Sequence, residues 1–162
     1  LLFCVVFETE GDATRDEIVA LDAQTLQLRH RFGQSLLNLA CYLTVVGDEL
    51  FVCDQDNDRL QVFSLTGTHR RTITGEWKRP KELCYFKDRL YLLEETYDDL
   101  EGTDPQSGRR IYVLSLQGDV LYTYLCPVEG RLFHSICCFD GKLLATYQRL
   151  GKTIGVLALS GI

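Results

Sequence analysis

A nine-residue phrase recurs along the chain and constrains what it can fold into: RLQVFSLTG at residues 59–67, RIYVLSLQG at 110–118 and TIGVLALSG at 153–161, with a degenerate copy, EIVALD, at 17–22. The copies start at residues 17, 59, 110 and 153, at intervals of 42, 51 and 43 residues. A repeat of this length is one supersecondary unit that cannot bury its own apolar faces and must stack on its neighbours. The core therefore lies between repeats rather than within one.

A constant order surrounds each copy: an apolar stretch, a tight turn, a second apolar stretch ending in acids, a connection, the repeated phrase, a Gly turn and a polar alternating stretch. Named A to D from the centre outward, the strands of the second unit are expected at residues 39–46, 50–54, 60–65 and 69–74. Those of the third are expected at 82–86, 90–94, 111–116 and 120–125. The fourth shows A, B and C at 135–139, 143–147 and 154–159, and the first shows B, C and D at 2–7, 18–21 and 26–32. Four strands per roughly 42 residues is the signature of a β-propeller blade. The predicted fold class is thus all-β, a propeller fragment of about three and a half four-stranded blades. It forms a single partial domain over residues 1–162, with blades at 1–33, 34–75, 76–126 and 127–162. The end blades are incomplete and complementary, so this segment alone is not expected to close a ring, and further blades would be its first partners.

With 46% apolar and 25% charged residues, the composition is that of a globular chain. A net charge of −6 opposes nucleic acid as a partner. The opening LLFCVVF lacks the flanks of a signal peptide and is too short to span a bilayer, so it reads as a buried strand and no membrane partner is expected. Seven cysteines form an odd set with no C-x-x-C pair, which excludes a zinc ribbon or a thioredoxin-like motif. Most fall in apolar strand patterns, where a free thiol acts as a small hydrophobe. A reducing, cytoplasmic compartment is the expectation.

The segment 50–67, with a strand ending in Asp54, the turn Asn57-Asp58-Arg59, then LQVF and a Gly turn, resembles the NHL-repeat family of β-propellers. Asp58 stands where that family has His, and the other copies keep only the apolar skeleton. The resemblance implies a non-catalytic protein-binding module, in a scaffold or ubiquitin-ligase context. It also leaves open a metal-dependent lyase or lactonase-like hydrolase with channel histidines, or an RNA-binding propeller.

In this strand order the B-to-C and D-to-A connections share one face, and their residues are the candidate partner-binding site. The B-to-C connections are acidic: Glu8, Glu10, Asp12 and Asp16 in the first blade, Asp54, Asp56 and Asp58 in the second, and Glu94, Glu95, Asp98 and Asp99 in the third, beside Tyr97. In the fourth blade the connection is basic, with Arg149 and Lys152. The segment 95–109 is the longest connection, and a connection of that length is typically functional or disordered. Trp77-Lys78-Arg79 on a D-to-A connection sets the single Trp beside cations and suits either a protein or a nucleic acid. The bland alternative buries Trp77 at the blade junction and leaves the cations solvated.

Asp54, Asp56 and Asp58 imitate half a calcium loop, but Arg59 and Leu65 stand where the loop needs Gly and Glu. Of three histidines, His30 and His69 fall on outer strands and only His134 lies near a channel. No nucleophile elbow, phosphate loop or dinucleotide fingerprint occurs, so neither catalytic residue, metal nor cofactor is expected. Val62, Leu65, Val113, Leu116, Val156 and Leu159 are the expected equivalent core positions of strand C.

Overall fold

The structure is a computed structural model that describes residues 1–10, 13–95, 108–127, 131–149 and 152–159. Among the described residues, fourteen strands form four antiparallel sheets. The first is β1 (Leu2–Glu10), β2 (Ala13–Leu21) and β3 (Leu28–Phe32). The second is β4 (Ala40–Val46), β5 (Glu49–Asp54), β6 (Arg59–Ser64) and β7 (His69–Thr74). The third is β8 (Pro80–Phe86), β9 (Arg89–Glu94), β10 (Arg110–Leu114) and β11 (Val120–Leu125). The fourth is β12 (Leu132–Phe139), β13 (Lys142–Arg149) and β14 (Lys152–Leu159). Strand order within each sheet follows the sequence, as in an up-and-down blade. Successive sheets meet chiefly through β1, β4, β8 and β12, with β5 also against β8 and β9 against β12. Among the described residues, the first and fourth sheets do not pair with each other.

Alternation along the strands decides which neighbour each side chain meets, because successive residues of a strand point to opposite faces. In the second sheet Leu50, Val52 and Phe63 pack toward the first with Ile18 and Leu37. Their alternates Phe51, Cys53, Leu60 and Val62 pack toward the third with Leu90, Leu92, Tyr112 and Leu114. In the third sheet Tyr91, Leu93, Ile111 and Val113 continue the pattern toward Phe133, Ile136, Leu143 and Ala145 of the fourth. Burial on both faces is why β5, β6, β9 and β10 read as near-continuous apolar runs.

The Gly that ends the repeated phrase is needed twice over. Gly67 (φ 91°) and Gly118 (φ 102°) adopt a left-handed backbone that favours glycine. Each also lies against the preceding blade: a Cβ on Gly67 would sit 2.7 Å from the Phe32 ring, and one on Gly118 would sit 2.2 Å from Ile73.

Several expectations need correction. The first hairpin is longer than the acidic loop suggested: Glu8, Glu10 and Asp16 lie in β1 and β2, paired across the sheet. Asp16 is buried, and its carboxylate accepts the Ala40 N–H at 2.6 Å, joining the first two blades. Gln148, Arg149 and Lys152 likewise belong to β13 and β14 rather than to a loop. Val62 and Val113 are core residues, whereas Leu65 and Leu116 are half-buried at the margin. Val156 is 61% exposed, because no described sheet covers that face of β14. The Leu159 side chain lies outside the described residues.

Candidate functional site

The expected face forms where β5 ends and the chain turns toward β6. Asp54 closes β5, residues Gln55–Asn57 make one 3-10 turn, and Asp58 (φ 53°) adopts the left-handed conformation that Asp tolerates better than most residues. Asp54 is fully buried, and its carboxylate gathers three donors: the Asn38 N–H at 2.7 Å, the Asn57 side-chain amide at 3.0 Å and the Arg59 Nε at 2.7 Å. Arg59 also donates to the Leu36 carbonyl at 2.9 Å, so turn and preceding connection are tied together.

The third blade repeats the device with different residues. Glu94 ends β9 as Asp54 ends β5, accepts the Lys78 N–H at 3.4 Å and pairs with Arg110 at 3.0 Å. Tyr112 donates its hydroxyl to Glu94 at 3.4 Å; burial, reinforced by that carboxylate, pushes its pKa up to about 12. The connections match as well, since Leu39 (φ 53°) and Arg79 (φ 44°) hold the same left-handed conformation one residue before their A strands.

A second set of contacts joins successive blades. Asp58 accepts the Arg79 N–H at 2.6 Å and pairs with Lys78 at 3.2 Å. The Arg79 guanidinium lies between Asp56 and Glu95, pairing with Asp56 and reaching Glu95 at 3.4 Å. Gln55 donates to the same Glu95 carboxylate at 2.6 Å. Burial opposes the Arg79 charge, and Asp56 and Glu95 more than offset it, so its pKa is raised. Seven of the candidate residues thus gather at this junction: Asp56, Asp58, Lys78, Arg79 and Glu95 bridge the two blades, Glu94 adjoins them through the Lys78 N–H, and Asp54 anchors the adjacent turn within its own blade.

Gathering at the junction does not make all seven available to a partner. Asp54 and Glu94 are buried and engaged by intramolecular partners, so their role is to hold the turns. Trp77 is fully buried and packs edge-on against Tyr112 at 5.9 Å between ring centres, with its ring against Gly75. It fills the junction of the second and third blades and cannot stack on a ligand from there. Tyr97, Asp98 and Asp99 lie outside the described residues. The surface that remains consists of Asp56, Asp58, Lys78, Arg79 and Glu95, with the Lys78 side chain 72% exposed. Among the described residues, no group of three His, Cys, Asp or Glu side chains is placed to hold a metal ion.

Sequence reasoning missed Gln55, named Asn57 only as part of the turn signature, and placed Asp16 in a loop. Position relative to the repeat would have found Asp16, since alignment of Glu17 with Arg59 places Asp16 on Asp58. Both carboxylates accept a backbone N–H at the start of the next blade.

No family model matches the sequence, and no curated protein matches it. Solved structures do match in fold. Virginiamycin B lyase from Staphylococcus aureus aligns over 96% of this chain and 55% of its own, at 12% identity and a TM-score of 0.60. Myxococcus xanthus glutaminyl cyclase aligns over 86% of this chain and 55% of its own, at 17% identity and a TM-score of 0.57. A nidogen/laminin complex aligns over 89% of this chain and 52% of its own, at 15% identity and a TM-score of 0.58. The chain therefore spans about half the length of these structures, and at such identities the likeness shows the fold alone. That fold is an all-β, propeller-like succession of antiparallel blades.

Proposed function

We propose that the chain is part of a non-catalytic binding propeller, which takes a protein partner on the face formed by its B-to-C and D-to-A connections. The observation that carries this reading is the placement of Arg79 between Asp56 and Glu95, with Asp58 and Lys78 alongside. Charges fixed by intramolecular bonds lose little conformational entropy on binding, which favours recognition of a polar surface of complementary charge. The partly exposed carboxylates of Asp56 and Asp58 suit basic side chains, and Lys78 suits an acidic one. The NHL-like segment 50–67 favours a scaffold or ubiquitin-ligase setting for such a face. The competing reading, a metal-dependent lyase or lactonase-like hydrolase, draws on fold neighbours described as a lyase and a cyclase.

A photo-crosslinking residue placed at Lys78, and separately at Thr72 on the perimeter strand β7, tests the proposal in cell extract. Crosslinking of the same protein partner from position 78 and not from 72 is the expected result. Crosslinks from position 72 alone would move the interface to the perimeter, and crosslinked RNA would replace the protein partner. Metal analysis of the intact protein is the companion measurement, and stoichiometric metal would favour the enzyme.

A further inference from the structure

The outermost strands of the blades differ in a way that bears on partners. In a propeller, strand D has one neighbour and presents its other backbone edge outward, and such edges are usually protected by charge. Strand β3, LRHRF, and strand β7, HRRTIT, follow that rule. Strand β11, VLYTYL, carries no charge. Among the described residues β11 pairs only with β10. Leu121, Tyr122 and Leu125 are each more than half exposed, at 51%, 56% and 53%. Tyr122 and Tyr124 form an edge-to-face pair on one side of the strand, with ring centres 4.6 Å apart, while Leu121, Thr123 and Leu125 alternate onto the other.

We infer that β11 is a self-association edge, pairing antiparallel with β11 of a second copy of this chain about a two-fold axis at Thr123. A two-fold axis perpendicular to the sheet sets residues of the same face opposite one another. About Thr123 it pairs Leu121 with Leu125, Tyr122 with Tyr124, and Thr123 with Thr123 across the two copies. Apolar, aromatic and Thr–Thr cross-strand pairs are the stabilising combinations in antiparallel sheets, and the interface is isologous. Charge selects this edge over the others. The same operation about His30 in β3 would oppose Arg29 to Arg31, and β7 would crowd Arg70 and Arg71 of both copies into one short ladder. An outward edge belongs to its own blade, so this pairing does not depend on the loop-face reading above.

A six-residue ladder is small beside the roughly 1,200–2,000 Å² of a stable interface, so association is expected to be weak, at about 10–500 µM. Sedimentation velocity across that range is expected to show a monomer–dimer equilibrium in the wild-type protein. L121K/L125K and L121E/L125E set like charges opposite each other in the proposed register, and each variant is expected to stay monomeric. Their equimolar mixture sets Lys opposite Glu and is expected to restore the dimer. Hydrogen exchange of the wild-type protein adds a readout that needs no variant, since protection of the 120–125 amides is expected to rise with concentration. A wild-type monomer throughout, a variant that dimerises unchanged, or a mixture that fails to pair would each overturn the proposal.

Discussion

Removing the Asp54 carboxylate takes a fully buried acceptor from three donors at once, the Asn38 amide, the Asn57 side chain and the partly exposed Arg59 guanidinium. Losing charge-assisted hydrogen bonds to a buried carboxylate typically costs about 1.5–3 kcal/mol when the partner left behind is partly exposed. Asp54→Ala is therefore expected to lower unfolding free energy by about that amount in urea denaturation. Asp56→Ala, which removes a partly exposed partner of Arg79, is expected to change it by less than about 1 kcal/mol. Equal effects would refute the division between structural and surface carboxylates. A second test uses the single Trp as its own probe. A Cβ at Gly75 would lie 2.1 Å from the Trp77 ring, so Gly75→Ala is expected to red-shift the emission and lower the melting temperature. Unchanged fluorescence and melting would mean that the ring is not packed as described. The acidic character of the second B-to-C turn was legible in the sequence, because Asp, Asn and an αL-tolerant position mark a turn. Which of its carboxylates are tied down was not, because that depends on backbone donors brought in at Asn38 and Arg79.

At the scale of the element, a strap between strands makes part of the stability depend on pH. Arg71 on β7 pairs with Glu49 on β5, lies over the Phe51 ring at 5.4 Å from its centre and donates to the Leu116 carbonyl of the next blade at 2.9 Å. The Arg71 hydrogen bond holds the Glu49 carboxyl below its ordinary value of 4.5, helped by Arg70 and opposed by burial. A depressed folded-state pKa contributes stability that is present above the unfolded value and lost as pH falls through the folded one. The gap in melting temperature between wild type and Arg71→Gln is thus expected to be largest near neutrality and to narrow below about pH 4.5. A gap that is constant from pH 7 to about pH 3 would assign the effect of Arg71 to packing and the Leu116 contact alone. The strand pattern makes its own prediction. Val113→Asp places an uncompensated charge in the core and is expected to unfold a blade, whereas Val156→Asp on the exposed face of β14 is expected to melt near wild type. Denaturation followed by circular dichroism separates the two, and a tolerated Val113→Asp would remove the register. Strand existence and order were readable because two-faced burial produces apolar runs punctuated by Gly and Asp turns. Strand ends were less so: Glu8, Glu10, Gln148, Arg149 and Lys152 look like loop residues, yet they extend ladders by cross-strand pairing.

For the molecule as a whole, the sheets that have neighbours on both sides are expected to be the most stable. Amides of β5, β6, β9 and β10 should exchange most slowly and those of β14 fastest, because local opening follows how few apolar contacts must be broken. Uniform protection across all four sheets would show that the end sheets are covered as the middle ones are. The sequence by itself determined the repeat, the four units and the strand order within each. Those features depend on local periodicity and turn chemistry, which a linear pattern carries in full. Only the tertiary structure decided that Trp77 is a wedge rather than a contact, that Asp54 and Glu94 are latches rather than ligands, and that Arg79 bridges Asp56 to Glu95. Each outcome depends on groups contributed by another turn, connection or blade, and the distance between them is set by how sheets stack rather than by any spacing along the chain.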